Sequence, residues 1–440
     1  MLPTDLDGWL DYIGRQHSAE IVMGLDRVRT VWTRMGCPGA PLNIIVGGTN
    51  GKGSTCAMLE SILHIAGYRT GFYSSPHLVR YNERVRILQQ QADDDLLVAS
   101  FAAVEAARTQ GGTQCGTQGG NEADVVPLTY FEYATLSAFW CYAQSNLDVA
   151  ILEVGMGGRL DAVNLIDADA AILVSVDLDH QAYLGDTREK IGWEKAHIFR
   201  PQHPAIYADA DMPESVGQYA QQIGAHLYRL NQDFRVTRQD TQWQWHGRIG
   251  DTELARHALP MPALRGRYQL NNAAAALMAL ACLQSRLPVS ATEVKRGLLE
   301  VEWPGRMQVL PGRPTVVLDV AHNPHAAAAL ADALGTMGFY ENTYAVFGML
   351  RDKDIRSVVR LLSPRIDHWF IAGLDGPRGT TAAQLGALLE EEGLAGRYTP
   401  CVSITHALAA AQERATPNDR ILGFGSFYTV ADLLRALNRR

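Results

Sequence analysis

The sequence is short of several things, and each shortage excludes a class of protein. Its six cysteines, at positions 37, 56, 115, 141, 282 and 401, are scattered and form no C-x-x-C pair. They read as reduced thiols, not as a zinc ribbon or a disulfide frame. No run of about 18 apolar residues occurs, so no transmembrane helix is expected. Residues 1–7 have neither a basic n-region nor an apolar h-region, and a cytoplasmic location is expected. Positive charge is in deficit: 39 Lys and Arg stand against 47 Asp and Glu, for a net charge of -8. That balance argues against nucleic-acid and anionic-membrane partners, although a local cation can still hold an anionic substrate. There is no G-x-S-x-G, and no cysteine paired recognisably with histidine, so nothing suggests an acyl-enzyme.

What is present is globular. Hydrophobic residues make up 47% and charged residues 20% of 440 positions, a length that favours two domains. Residues 1–303 and 304–440 are the expected pair, separated at the rigid turn Trp303-Pro-Gly-Arg306. The first is expected to be a large P-loop-type ATP-binding domain and the second a smaller Rossmann-like α/β domain.

The chain is organised around Leu42-Asn-Ile-Ile-Val-Gly-Gly-Thr-Asn-Gly-Lys-Gly-Ser-Thr55. An apolar strand, a glycine loop and an apolar helical pattern from Ser54 form an anion cradle. Backbone N–H groups and a helix N-terminus face the phosphates, and a lysine, here Lys52, reaches the terminal ones. Ser54 or Thr55 offers a hydroxyl to Mg²⁺. The match departs from G-x-x-x-x-G-K-[ST], because residue 46 is valine and Gly53 intervenes after Lys52. A plain glycine-rich turn is the alternative.

Residues 5–35 read as helical, broken at His17-Ser18, with Gly24 marking a turn that faces a ligand. A strand at 68–73 ends in Ser74-Ser75-Pro76-His77. A helix at 93–108 precedes a low-complexity stretch, 109–124, read as a mobile surface insertion. Glu132, in Thr129-Tyr-Phe-Glu-Tyr133, is either a snorkelling surface carboxylate or a ligand contact. The strand at 147–154 ends in Glu153, a carboxylate that is costly there unless paired or metal-bound. The strand at 170–176 runs into Asp177-Leu-Asp-His180. A helix at 189–199 carries Glu194, Lys195 and His197, and 232–258 reads as β-hairpins. An Ala-rich helix begins after Gly266 and runs to about 285, and Ser290 or Thr292 caps the next. Beyond 303, strands at 315–320, 343–347, 367–371 and 420–424 alternate with helices at 325–337, 354–362, 380–392, 403–414 and 427–437.

Ligands of open α/β sheets collect at carboxyl ends of strands. Three such ends supply metal-capable groups here: Ser75, Glu153 and His180. A phosphate loop with an extra Glu and His suggests two Mg²⁺ ions. A second ion is useful where an anionic acceptor must approach the γ-phosphate. A carboxylate acceptor fits: it becomes an acyl phosphate, and an amine then displaces phosphate. A nucleotide-switched ATPase without ligase activity remains open on the residues alone.

Gly48-Thr-Asn-Gly-Lys-Gly-Ser54, Tyr73-Ser-Ser-Pro-His-Leu78, Leu152-Glu-Val-Gly-Met-Gly-Gly-Arg-Leu-Asp161, Leu178-Asp-His180 and Asp319-Val-Ala-His-Asn-Pro324 appear in order. Together they resemble the folylpolyglutamate synthase family of the Mur ligase superfamily over nearly the whole chain. The resemblance implies a Mur ligase-like fold and an ATP-dependent ligase adding L-glutamate to dihydropteroate and to reduced folates. Polyglutamylation alone is the nearer alternative. It also implies that Asn50, Gly51, Lys52, Gly53 and Ser54 hold ATP phosphates, joined by Asn272, Arg306 and Asp319. Ser75, Glu153 and His180 would ligate Mg²⁺. Lys195 matches a lysine carbamylated in the family, and Lys52, Lys195 and His180 are the expected catalytic set. Val22, Met23, Gly24, Thr129, Tyr130, Phe131, Glu132, Leu160, Asp161 and Ala162 would line the pterin site. His322 and Ser426 would lie near the incoming glutamate. A monomer is expected.

Overall fold

The computed structural model describes residues 2–17, 21–36, 39–110 and 125–438. The chain divides into two compact units, Met1–Ser75 with Asn82–Met261 and Asn271–Glu300, and Pro76–Tyr81 with Pro262–Leu270 and Val301–Arg440.

The first unit is built on eight strands: β1 (Asn43–Gly47), β2 (Thr70–Tyr73), β3 (Val85–Ile87), β4 (Gln90–Gln91), β5 (Val149–Glu153), β6 (Ala170–Leu173), β7 (Pro204–Tyr207) and β8 (His226–Arg229). They lie in the order β4-β3-β2-β5-β1-β6-β7-β8. The six strands from β2 to β8 in that order are parallel, and β3 and β4 extend one edge antiparallel. Between their ends the central strands are apolar and fully buried, as expected of parallel strands covered on both faces. The register pairs Val46 with Glu153 and Tyr73 with Leu152. The ends of β1, β2 and β5 are therefore level, and the loops leaving these three strands emerge at one edge of the sheet.

Three further strands, β9 (Phe234–Arg238), β10 (Gln242–Ile249) and β11 (Thr252–Pro260), form an antiparallel meander. Its buried face carries Trp243 and Trp245, and the Trp245 indole donates to the Ala274 carbonyl at 3.1 Å. That carbonyl belongs to the Ala-rich helix Tyr268–Cys282. Ser290 caps the next helix, Ala291–Glu300, by accepting from the Glu293 N–H.

The second unit holds β12 (Gln308–Leu310), β13 (Thr315–Asp319), β14 (Thr343–Phe347), β15 (His368–Ala372), β16 (Tyr398–Cys401) and β17 (Arg420–Phe424), ordered β12-β13-β17-β14-β15-β16. All but β12 are parallel, and apolar clusters pack on both faces.

Several expectations are corrected. Residues 21–25 are not helical; the helix is Asp26–Met35. Gly24 has φ +153°, outside helical space, and its N–H goes to the Leu160 carbonyl at 3.4 Å. The strand read as 170–176 stops at Leu173, because Ser175 turns to the glycine loop. Strands β3, β4, β12 and β16 were not anticipated. β16 is a four-residue edge strand containing Pro400, where a missing N–H is tolerated. Of the presumed insertion, Thr109 ends the helix Asp94–Thr109, and 111–124 lie outside the described residues. Among the described residues, no helix is long and apolar enough to cross a membrane.

Candidate active site

The glycine loop leaves β1 and enters the helix Lys52–Ile65 with Gly51 as its N-cap, at φ +90° and without a capping side chain. A Cβ on Gly51 would lie 2.7 Å from Val174 and 2.9 Å from the Asn272 amide oxygen. Glycine is thus required, and Asn272 from helix Tyr268–Cys282 is packed against the loop. Lys52 donates to the Gly48 and Thr49 carbonyls at 3.0 and 3.3 Å, so its ammonium folds back over the cradle. Ser54 and Thr55 are buried, and the Thr55 hydroxyl donates to the Gly51 carbonyl at 3.0 Å.

The stretch after β6 fastens the loop. The Asn50 N–H donates to Ser175 Oγ, which in turn donates to the Asn50 carbonyl, both at 3.1 Å. Thr49 Oγ1 donates to the Asp177 carbonyl at 3.2 Å and accepts from the Asp177 N–H at 3.0 Å. Ser175 was not singled out from sequence, and Thr49 and Asp177 were named only within their motifs, without this role. A serine inside an otherwise apolar strand was the available signal.

At the ends of β2 and β5, the Ser75 N–H points at Glu153 Oε2 at 3.4 Å. Glu153 is buried and Ser75 partly exposed. His180 adopts a left-handed backbone at the head of the short helix Gln181–Leu184, with its Nε2 3.9 Å from Asp179. No group of three or more His, Cys, Asp or Glu poised for a metal occurs among the described residues; the expected set has only two such residues plus a serine. The oxygens of Ser75 and Glu153 suit Mg²⁺, which prefers oxygen ligands and keeps several of its waters.

Lys195 lies in the helix Arg188–Ala196, fully enclosed, and donates to the Gly48 carbonyl at 3.1 Å. Burial, and next the Lys52 ammonium, hold its pKa down to about 7, against the pull of Asp179 and Asp161. A close approach sets its position. A Cβ on Gly158 would lie 2.7 Å from the carbonyl oxygens of Glu194 and Lys195, so only glycine lets the loop after β5 reach this helix. Arg159 clamps the same place, with its N–H on the Glu194 carbonyl and its guanidinium on the Glu194 carboxylate, both at 2.9 Å. Glu194 is thus a fastening and not simply a solvated charge.

The three segments expected to line the pterin site come together in the first unit. Thr129 caps the helix Tyr130–Gln144 in a capping box with Glu132. Glu132 is buried, so it is not a snorkelling carboxylate. Its Oε2 accepts from the Thr129 N–H at 2.7 Å, and its Oε1 accepts from Arg27 Nη2 at 2.7 Å. Arg27 Nη2 also donates to the Val22 carbonyl at 2.8 Å. Met23 Cε lies 3.7 Å from where a Gly157 Cβ would be. The Gly24–Leu160 hydrogen bond joins the third segment. Asp161 is buried and accepts from the Met156 and Val163 N–H groups at 2.8 and 2.9 Å, capping the turn that starts at Ala162. Burial raises its pKa to about 6 despite those bonds. The Phe131 ring lies against Gly155 and near Tyr73, and Arg84 stacks 5.5 Å over Tyr130.

In the second unit, the adjacent ends of β13 and β17 gather the remaining residues. Buried Asp319 accepts from the Met307 and Ala321 N–H groups, each at 2.8 Å. Burial raises its pKa, and Arg306 opposes the rise. Arg306 sits 5.2 Å over the Phe427 ring, and the His322 ring is 6.1 Å from the same ring. Ser426 Oγ accepts from the Tyr428 N–H at 2.9 Å at the head of the helix Phe427–Asn438.

Two known families match stretches of the chain. Residues 96–280 match the Mur ligase middle domain, and residues 305–427 match the Mur ligase glutamate ligase domain. The chain is 43% identical over 438 residues to the dihydrofolate synthase/folylpolyglutamate synthase of Escherichia coli, covering 99% of this chain and 96% of that one. It is similar to the solved structure of E. coli FolC in complex with DHPP and ADP, with 42% identity and a TM-score of 0.90 over 100% of this chain and 99% of that one. It is also similar to a bifunctional folylpolyglutamate synthase/dihydrofolate synthase with Mn, AMPPNP and L-glutamate bound. There the identity is 41% and the TM-score 0.87, over 100% of both chains.

Proposed function

The chain belongs to the dihydrofolate synthase/folylpolyglutamate synthase family of Mur ligases, and from that premise we propose how its own residues carry the reaction. The protein is an ATP-dependent ligase that joins L-glutamate to dihydropteroate, giving dihydrofolate, ADP and phosphate, and extends reduced folates with glutamate.

The acceptor carboxylate attacks the γ-phosphorus and becomes an acyl phosphate, with ADP leaving. The α-amine of glutamate then attacks the acyl carbon, and phosphate departs with one former carboxylate oxygen. The observation that carries this reading is the Ser75–Glu153 contact of 3.4 Å, made at strand ends level with β1, whose loop opens an uncapped helix N-terminus. This backbone N–H to carboxylate contact holds the Glu153 carboxylate, a ligand type suited to a divalent cation, beside Ser75 at strand ends level with the anion cradle.

Asn50, Gly51, Gly53 and Ser54 hold the ATP phosphates, and Lys52 moves from the Gly48 and Thr49 carbonyls to the terminal ones. Asn272, Arg306 and Asp319 are assigned to ATP, and His322 and Ser426 to glutamate. Ser75, Glu153 and His180 would hold Mg²⁺, with a second Mg²⁺ near Lys195; such ions neutralise repulsion between the γ-phosphate and an anionic acceptor. The pterin end of the acceptor rests on Val22–Gly24, Thr129–Glu132 and Leu160–Ala162.

Lys195 is assigned as a carbamate. With its pKa held near 7, much of it is a free amine at neutral pH. The amine adds to CO₂ and releases one proton, turning a buried cation into an anion that Lys52 and a metal favour.

Acceptor labelled with ¹⁸O in its carboxylate tests the acyl phosphate. One labelled oxygen per turnover should appear in phosphate. Label retained wholly in the folate product would refute the intermediate.

A further inference from the structure

We propose that Arg27 recognises the acceptor directly: one edge of its guanidinium fastens two walls of the pterin site, and its remaining amino group, Nη1, donates to a carbonyl oxygen or ring nitrogen of the bound pterin. This rests on the assignment of Val22–Gly24 and Thr129–Glu132 to the acceptor.

The five donors of the guanidinium are unevenly spent. Nε donates to Glu132 Oε1 and Oε2 at 3.1 and 3.3 Å. Nη2 donates to Glu132 Oε1 at 2.7 Å and to the Val22 carbonyl at 2.8 Å. Those bonds account for the Nε/Nη2 edge. Nη1 donates to no other described residue. The side chain is 23% exposed, and its Glu132 partner 4%. The Glu132 side of the pair is thus buried, while Nη1 stays open to solvent and so to a ligand.

Gly24 decides what Nη1 faces. A Cβ at Gly24 would sit 4.0 Å from Nη1, so a larger side chain there would begin to cover it. Instead φ is +153°, the N–H is committed to Leu160, and residue 24 itself places no side chain over Nη1. The rigid fork is fixed by a carboxylate that itself holds the Thr129 N–H at 2.7 Å. Nη1 is thus prepositioned where the three segments meet. A lysine could keep the charge at Glu132 but cannot span Glu132, Val22 and a ligand at once.

The test is steady-state kinetics of Arg27→Lys and Arg27→Gln with dihydropteroate, ATP and glutamate varied in turn. Loss of a hydrogen bond from a charged donor predicts a roughly ten- to hundredfold rise in the dihydropteroate KM. The KM values for ATP and glutamate should stay within about twofold, which also reports that the variants are folded. An unchanged dihydropteroate KM, or an equal rise for all three substrates, would overturn the proposal. Should neither variant fold, labelling of wild-type arginines with phenylglyoxal decides. Dihydropteroate should protect the Arg27 peptide and MgATP with glutamate should not; the absence of such protection refutes the contact. Wild-type enzyme that ligates no glutamate at all would refute the functional reading instead.

Discussion

Lys52 and Lys195 donate to the same oxygen, the Gly48 carbonyl, at 3.0 and 3.1 Å. Burial, and next the repulsion of the Lys52 ammonium, hold Lys195 down to a pKa of about 7. The arrangement suits a site prepared for phosphate and for an anionic form of Lys195.

Stability should therefore depend on pH. In CO₂-free buffer the folded state releases the Lys195 proton near pH 7, whereas the unfolded chain keeps it to about pH 10.4. Between those values the unfolded state binds more protons, so stability rises with pH across that window and is flat for this group below it. Lys195→Met should lack this increment. Urea denaturation of both proteins from pH 6 to 10, differenced, measures it; parallel curves would contradict the shift.

Lys195→Ala should lower kcat by roughly a hundredfold or more, as expected when a preorganised charge is removed from the transition state. If the working form is the carbamate, acetate or formate should restore part of the rate to Lys195→Ala and none to wild type. Intact-protein mass after gentle handling in bicarbonate should show one added CO₂ on wild type only.

Lys52→Ala should reduce ligation by about a thousandfold or more while leaving the fold intact. Its ammonium touches only carbonyls of its own loop, so little packing is lost. Circular dichroism and a thermal melt check the fold, and product mass checks the reaction. Near-normal ligation would remove Lys52 from the phosphate assignment.

Gly158→Ala should destabilise by about 1–3 kcal/mol, because the new methyl meets backbone oxygens that cannot rotate away. The helix that positions Lys195 must shift, so activity should fall further than stability alone explains. The thermal midpoint and kcat measured together test this.

Glu153→Gln should raise the Mg²⁺ concentration needed for half-maximal rate by about tenfold or more, since carboxylate charge sets affinity for a hard cation. Chelation should silence wild type, and excess Mg²⁺ should restore it. A variant with unchanged Mg²⁺ dependence would exclude Glu153 as a ligand.

The sequence made the loop around Lys52 legible because glycine spacing, strand and helix are all local. Ser75 and Glu153 were legible as groups at strand ends, because parallel strands bring those ends to one edge, whereas His180 lies beyond the end of β6 at the head of the helix Gln181–Leu184. Asn272 was reachable only through the family resemblance; nothing local says that it packs on Gly51. Arg27 gave no signal, since its role depends on Glu132, 105 residues away. Helix-like spacing misled over 21–25 alone, where Gly24 pairs with Leu160 across the fold, and held from Asp26 onward. The edge strand β16 was too short, and too marked by Pro400, to stand out.

The most direct test of the central claim is phosphate release with MgATP and L-glutamate, with and without dihydropteroate, alongside mass detection of dihydrofolate. The account predicts release only when both substrates are present, with one phosphate for each dihydrofolate. Release indifferent to both substrates would contradict it and leave a nucleotide-hydrolysing switch in its place.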